Sequence, residues 1–276
     1  MPWKLYLDSR KRVPGARGNS DTDFAIQLPY PITVSGKAYV DCCLLSNTMY
    51  TIRTGENDLI YLDELAAQTK RVATLAAGQY SAYQLKDALL AALNTNTILT
   101  GQYAVTYLVS ANRFQISVAN AAATDVFRIW SEAQVKANIP AWFAISNPDL
   151  QSANRACGFL SGDYTAGSNV ASGTSPDAPD VQPYKQLFIR SSLGGGASES
   201  LGCNGETDII RRILVGNTPM NGAILDVHST PMDCVHIKGK PELNTLWFQI
   251  VDTDGRVVNT HAHPVSFSII FEDLDE

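Results

Sequence analysis

The sequence predicts a mainly all-β protein, an eight-stranded single jelly roll with an inserted α+β subdomain between the third and fourth core strands. Three observations lead there. The segments near both ends alternate apolar and polar residues with the period of two that half-buried strands require. The middle of the chain follows a different pattern and holds the clearest helix. The chain has 276 residues, 45% of them hydrophobic and only 17% charged. It can therefore bury a full core, and its low charge suits a surface that packs against neighbours.

The elements follow in chain order. Phe24, Ile26 and Leu28 alternate with Ala25 and Gln27 until Pro29 and Pro31 stop the run. Residues 38–45 are closely apolar, as in a strand covered on both faces. A third run, residues 58–63, follows the turn signal Thr54, Gly55, Glu56 and Asn57. Residues 71–75 read as another strand. Ser81 and Gln84 then form a capping box before the apolar stripe Leu85, Ala88, Leu89, Ala92 and Leu93, and Asn94 ends that helix.

Next, Tyr103, Val105 and Tyr107 face Phe114, Ile116 and Val118 in a hairpin turning near residues 110–112. Trp130 and Trp142 lie in a poorly periodic stretch that carries no assignment. Residues 164–183, rich in Gly, Ser, Ala, Asp and Pro, read as a long exposed loop or linker. Strands resume at residues 186–190, 209–215, 223–227, 243–251 and 265–271. Three strands before the middle and five after it give the jelly-roll complement. The divisions are residues 1–65 for the first part of the jelly roll, 66–183 for the insertion domain and 184–276 for the second part.

A net charge of −6 argues against nucleic acid binding over the whole surface. The charge is uneven, however. Lys4, Arg10, Lys11, Arg12 and Arg17 stand near the start against Asp8 alone, while Glu272, Asp273, Asp275 and Glu276 crowd the other end. The basic segment could meet neighbouring subunits or a polyanion, or be a solvated terminal arm. The five cysteines, Cys42, Cys43, Cys157, Cys203 and Cys234, form no Cys-x-x-Cys pair and read as reduced, mostly buried thiols. Neighbouring Cys42 and Cys43 on a strand point to opposite faces. The first twelve residues lack the apolar run of a signal peptide, and no stretch reaches membrane-span length, so a soluble intracellular product is expected.

The search for chemistry centres on His261 and His263, the weak metal candidates. On a strand, His-x-His aims both imidazoles to one side, and the spacing from Gly255 fits the opening of a cupin metal site. The later ligands of such a site are missing: the next acid is Glu272, and His228 and His236 have no demanded spacing. Asp252, Asp254 and Gly255 suggest a calcium loop, but its twelfth position holds His263, so a tight Asp-Gly turn is the better reading. Residues 191–196 are glycine-rich without a phosphate-loop lysine, and there is no Gly-x-Ser-x-Gly elbow. The adjacent carboxylates Asp63 and Glu64 fit a solvated strand end. No catalytic residues and no cofactor are expected, and the chain is read as a non-enzyme.

Several stretches together resemble the penton (vertex) proteins of virophages and Polinton-like viruses, in the jelly-roll capsid lineage. They are residues 5–13 (LYLDSRKRV), residues 23–28 (DFAIQL) with Pro31 and Ile32, and residues 46–52 (SNTMYTI). Further on come residues 78–81 (GQYS), residues 157–160 (CGFL) and the turn Asp252, Asp254, Gly255. Cys157 stands where Leu is expected. The resemblance implies a structural capsid protein that forms homopentamers at the five-fold vertices of an icosahedral virion, assembled inside the host cell. It implies a double-jelly-roll major capsid protein as partner. It also places the basic segment Lys4 to Arg17 inside, near neighbouring subunits, internal capsid components or genome. The alternatives are a carbohydrate-binding β-sandwich or host-attachment module, with Trp130 and Trp142 as candidate platforms, and a cupin-like metalloenzyme.

Overall fold

A computed structural model describes residues 3–15, 18–34, 36–64, 69–119, 122, 125–142, 151–167, 174–182, 184–194, 205–216, 218–227, 234–237 and 242–272, with the backbone alone at 139–142 and 166–167. Arg17, Cys203, His228, Asp273, Asp275 and Glu276 lie outside these residues. The chain divides into two compact units, one of residues 1–49 and 184–276 and one of residues 50–183.

The first unit is a jelly roll. Its strands in chain order are β1 (Trp3–Asp8), β2 (Asp23–Thr33), β3 (Gly36–Ser46), β10 (Gln186–Ser191), β11 (Ile209–Leu214), β12 (Ala223–Asp226), β14 (Glu242–Val251) and β15 (Ser266–Glu272), with a short β13 (Val235–Ile237) added. One sheet runs β1-β15-β3-β12, with β13 also on β3, and the other runs β11-β10-β14-β2. Counting the eight principal strands in chain order, the sheets read one-eight-three-six and five-four-seven-two, the order two Greek keys produce.

Alternation supplies the core between the sheets. Phe24, Ile26, Leu187, Ile189, Leu246, Phe248 and Ile250 from one sheet meet Val40, Cys43, Leu45, Phe267, Ile269 and Phe271 from the other. The ring of Phe267 lies 4.9 Å from that of Phe248 and 6.4 Å from that of Phe24, so aromatic packing ties β15 to both neighbours opposite. At the far edge, Arg211 of β11 grips Asp226 of β12 with two hydrogen bonds of 2.8 and 2.9 Å. That fork closes one side of the sandwich where apolar cover runs out.

The eight-strand count holds, but one member differs from the sequence reading. β4 (Leu59–Glu64), counted there as the third core strand, pairs with β5 (Thr69–Thr74) and β8 (Val126–Ile129) in the second unit. The strand that completes the jelly roll is β1. Its Leu7 is buried, its Trp3 stacks on Phe271 at 4.2 Å, and all six residues pair with β15. The pairings therefore move the first division from residue 65 to residue 49.

The second unit lies in the chain between β3 and β10. It holds a sheet β5-β4-β8-β9, with β9 at Tyr164–Gly167, and a hairpin of β6 (Gln102–Leu108) and β7 (Arg113–Ala119). Helices α1 (Ala82–Asn94), α2 (Glu132–Trp142) and the single turn α3 (Asn154–Cys157) belong to it. The capping box is formed as read, with Ser81 accepting from the Gln84 amide and Gln84 accepting from the Ser81 amide. Leu85, Leu89, Ala92 and Leu93 bury the helix face against β5 and β6. Gly158 ends α3 at φ 79°, and a Cβ there would sit 2.4 Å from the Asp177 carbonyl oxygen, so only glycine fits.

Candidate assembly site

The N-terminal cations sit on and after β1 rather than on a free arm. Lys4 points outward from the strand and pairs with Asp41 of β3. Arg10 bonds Asp8, whose side chain also caps the short 3₁₀ turn Ser9–Lys11. Arg12 reaches Asp21 at 2.9 Å and the Ser9 carbonyl. The bonds from Arg10 and Lys4 hold the carboxyls of Asp8 and Asp41 below their ordinary value, and the two cations are raised in turn. Lys11 is exposed and forms no ion pair among the described residues. The basic run seen in sequence is thus largely neutralised by acids, two of which lie elsewhere in the chain.

His261 and His263 do not share a strand. His261 and Ala262 both adopt left-handed backbone, φ 51° and 63°, in a turn before β15. The alternation that would have aimed both rings one way is therefore absent. Burial and then the neighbouring His263 lower the pKa of His261. Asp252 accepts the amides of Asp254 and Arg256 at 2.9 Å, and Gly255 takes φ 76°, which is the hairpin turn the Asp-Gly pair suggests. Among the described residues, no group of three or more His, Cys, Asp or Glu side chains could hold a metal.

Asp63 and Glu64 are buried, not solvated, because each meets cations on its own side of β4. Asp63 contacts Lys70 and Arg128, and Glu64 contacts Arg71. Trp130 is also buried, against Tyr61 and Val135, and so offers no platform to a sugar. Trp142 closes α2, and its side chain lies outside the described set. Residues 164–183 are not simply an exposed loop, since β9 is a paired strand and Ser175 is buried. Cys43 and Cys157 are buried as expected, and burial pushes the Cys157 thiol up to about 12, whereas Cys42 and Cys234 are half-exposed.

Exposed side chains lie on the outer faces of both jelly-roll sheets. The outer face of the first sheet presents Tyr6 (77% exposed), Leu44 and Leu225 (60%). Leu44 and Leu225 are direct cross-strand partners, and Ser266 and Ser268 of β15 lie between them and the Tyr6 strand. The outer face of the second sheet carries a polar plate. Arg190 donates to Asp208 at 2.7 Å, Glu206 at 2.6 Å and Gln249 at 3.0 Å. Its guanidinium lies 5.7 Å from the Trp247 ring, and Asp23 accepts from Trp247 and Gln249 at 3.0 Å. No local pattern marks this plate, because its members come from β2, β10, β14 and the approach to β11. Every carboxylate in it already has donors, so it is built to be rigid rather than reactive.

No protein-family model matches the chain, and no curated protein does either. Among solved structures, a mavirus penton protein matches over 99% of this chain and 100% of its own, with a TM-score of 0.52 and 11% sequence identity. The two share a fold. At that identity the likeness speaks for architecture, here the jelly roll that the strand pairings show independently. Among the described residues, no helix is long and apolar enough to cross a membrane.

Proposed function

We propose that this chain is a non-enzymatic structural protein of a viral capsid, the penton subunit that forms homopentamers at the five-fold vertices of an icosahedral virion. The observation that carries this reading is the whole-chain likeness to a penton protein, covering both the jelly roll and residues 50–183. A rigid sandwich with exposed apolar side chains on an outer face suits a subunit whose work is contact with other subunits. In a closed ring each subunit uses two different surfaces, one toward each neighbour. In this reading its partners are copies of itself and a double-jelly-roll major capsid protein, and assembly takes place inside the host cell. Lys4, Arg10, Lys11, Arg12 and Arg17 line a subunit contact or face internal components. With Lys4, Arg10 and Arg12 paired to acids, close packing against protein is favoured over binding a polyanion.

Native mass spectrometry and electron microscopy of the purified chain, alone and with the major capsid protein of the same virus, test the proposal. Five-fold rings, or five-fold density when the two are mixed, are expected. A protein that stays monomeric at high concentration and fails to enter shells would overturn it.

A further inference from the structure

We infer that Cys234 and His236 form a two-ligand chelate for a thiophilic divalent cation of the zinc type. Cys234 immediately precedes β13, and His236 is its middle residue; the strand pairs with β3. Val235 is buried in the core, so the residues on either side of it point to the outer surface of the sheet. There the Cys234 Sγ lies 4.0 Å from the His236 Nε2, with the ring nitrogen turned toward the sulfur.

Geometry and chemistry both suit an ion. A tetrahedral cation held at roughly 2.3 Å from sulfur and roughly 2.0 Å from nitrogen keeps the two donors about 3.5 Å apart. A small rotation of either side chain closes the difference. Thiolate and imidazole are the donor pair that zinc-type ions take in preference to the oxygen-seeking magnesium or calcium. Cys234 is half-exposed, so an ion can reach it without unfolding, unlike Cys43 and Cys157 in the cores. Lys37 stands opposite His236 in the ladder, and Glu272 stands opposite Lys37 on the next strand, so these two formal charges offset each other. On binding, the Cys234 thiol gives its proton to solvent as the S–metal bond forms. The Nε2 lone pair supplies the second bond, and water fills the remaining positions.

Neither a histidine pair nor a Cys-x-x-Cys spacing marks this pair. Its local signal is Cys-x-His at the start of a strand, a spacing that places two ligands on one face.

Cobalt(II) is the probe, titrated into the purified full-length chain under a phosphine reductant and followed by the thiolate-to-cobalt charge-transfer band. The band should saturate at one ion per chain, vanish in Cys234→Ser and disappear on adding a chelator. In His236→Ala the cobalt concentration for half-saturation should rise at least about tenfold, since losing even an outer-shell partner of a metal ligand costs that much. Cys234 is half-exposed and His236 is exposed, and circular dichroism checks that the variants fold. No band in the wild type, a band that survives Cys234→Ser, or an unchanged titration in His236→Ala would each overturn the inference.

Discussion

Replacing Arg71 with Met isolates the most demanding interaction in the second unit. Glu64 is fully buried. Its carboxylate accepts from the Tyr103 hydroxyl at 2.7 Å, the Thr97 hydroxyl at 2.9 Å and the Ile98 amide at 3.0 Å. Arg71 supplies the cation at 2.9 Å and also bonds the carbonyls of Leu93 and Thr95 at 2.7 Å, where α1 ends. Without Arg71 a buried negative charge has no counter-ion and two helix-end carbonyls lose their donor. Removing one partner of a buried pair costs about 3–5 kcal/mol. The lost carbonyl bonds put this case toward the upper end. For a unit of this size that corresponds to a fall of about 10–15 °C in the unfolding midpoint. Differential scanning calorimetry of the full chain measures it. The double variant Glu64→Gln/Arg71→Met removes both charges while keeping the shape of the acceptor, and should recover most of the loss. A single variant that falls by less than about 3 °C, a loss of roughly 1 kcal/mol, would refute the argument. So would a double variant no better than the single one, because the cost would then lie in packing and not in the stranded charge.

Three further outcomes follow from the same physics. Leu7→Ala should lower stability by about 2–5 kcal/mol in a denaturant titration, because β1 is a core strand and not a removable arm; a loss too small to measure would return β1 to the status of an arm. Gly158→Ala should destabilise by at least about 1 kcal/mol, since it combines a left-handed backbone with a Cβ pressed on the Asp177 carbonyl, and unchanged melting would count against that close approach. For Asp63, burial alone would raise the carboxyl, but Lys70, Trp130 and Arg128 outweigh it and hold the pKa below its ordinary value. A depressed folded value gives stability that is full above the unfolded value of about 3.9 and is lost as pH falls through the folded one. Asp63→Asn should therefore flatten the acid limb of a stability–pH profile, and an identical limb would remove Asp63 as a contributor.

Local signals were legible and long-range ones were not. The capping box at Ser81 and Gln84, the β6–β7 hairpin and the alternation of Phe24, Ile26 and Leu28 are written within a few residues, and each appears as read. β4 shows the limit. Its apolar run marks a strand, but nothing in the run names its neighbours, and β5 and β8 claim it. β1 hid behind Lys4, Tyr6 and Asp8, whose outward positions made an edge strand look like a polar arm. The charge of that segment was misjudged for a related reason: Asp41 and Asp21 neutralise Lys4 and Arg12 only once the fold brings them near. Asp63 and Glu64 looked solvated because their cations, at positions 70, 71 and 128, are invisible to a local window.

The placement of β15 bears on how the protein is made. This strand, the last of the described strands in chain order, lies between β1 and β3, so the first sheet has a gap at its middle until the ribosome has delivered residue 272. Residues 50–183 are contiguous and can collapse while translation continues, but the sandwich must wait. A product that stops before residue 266 would leave β3 and β1 without their shared neighbour, and its first sheet could not close.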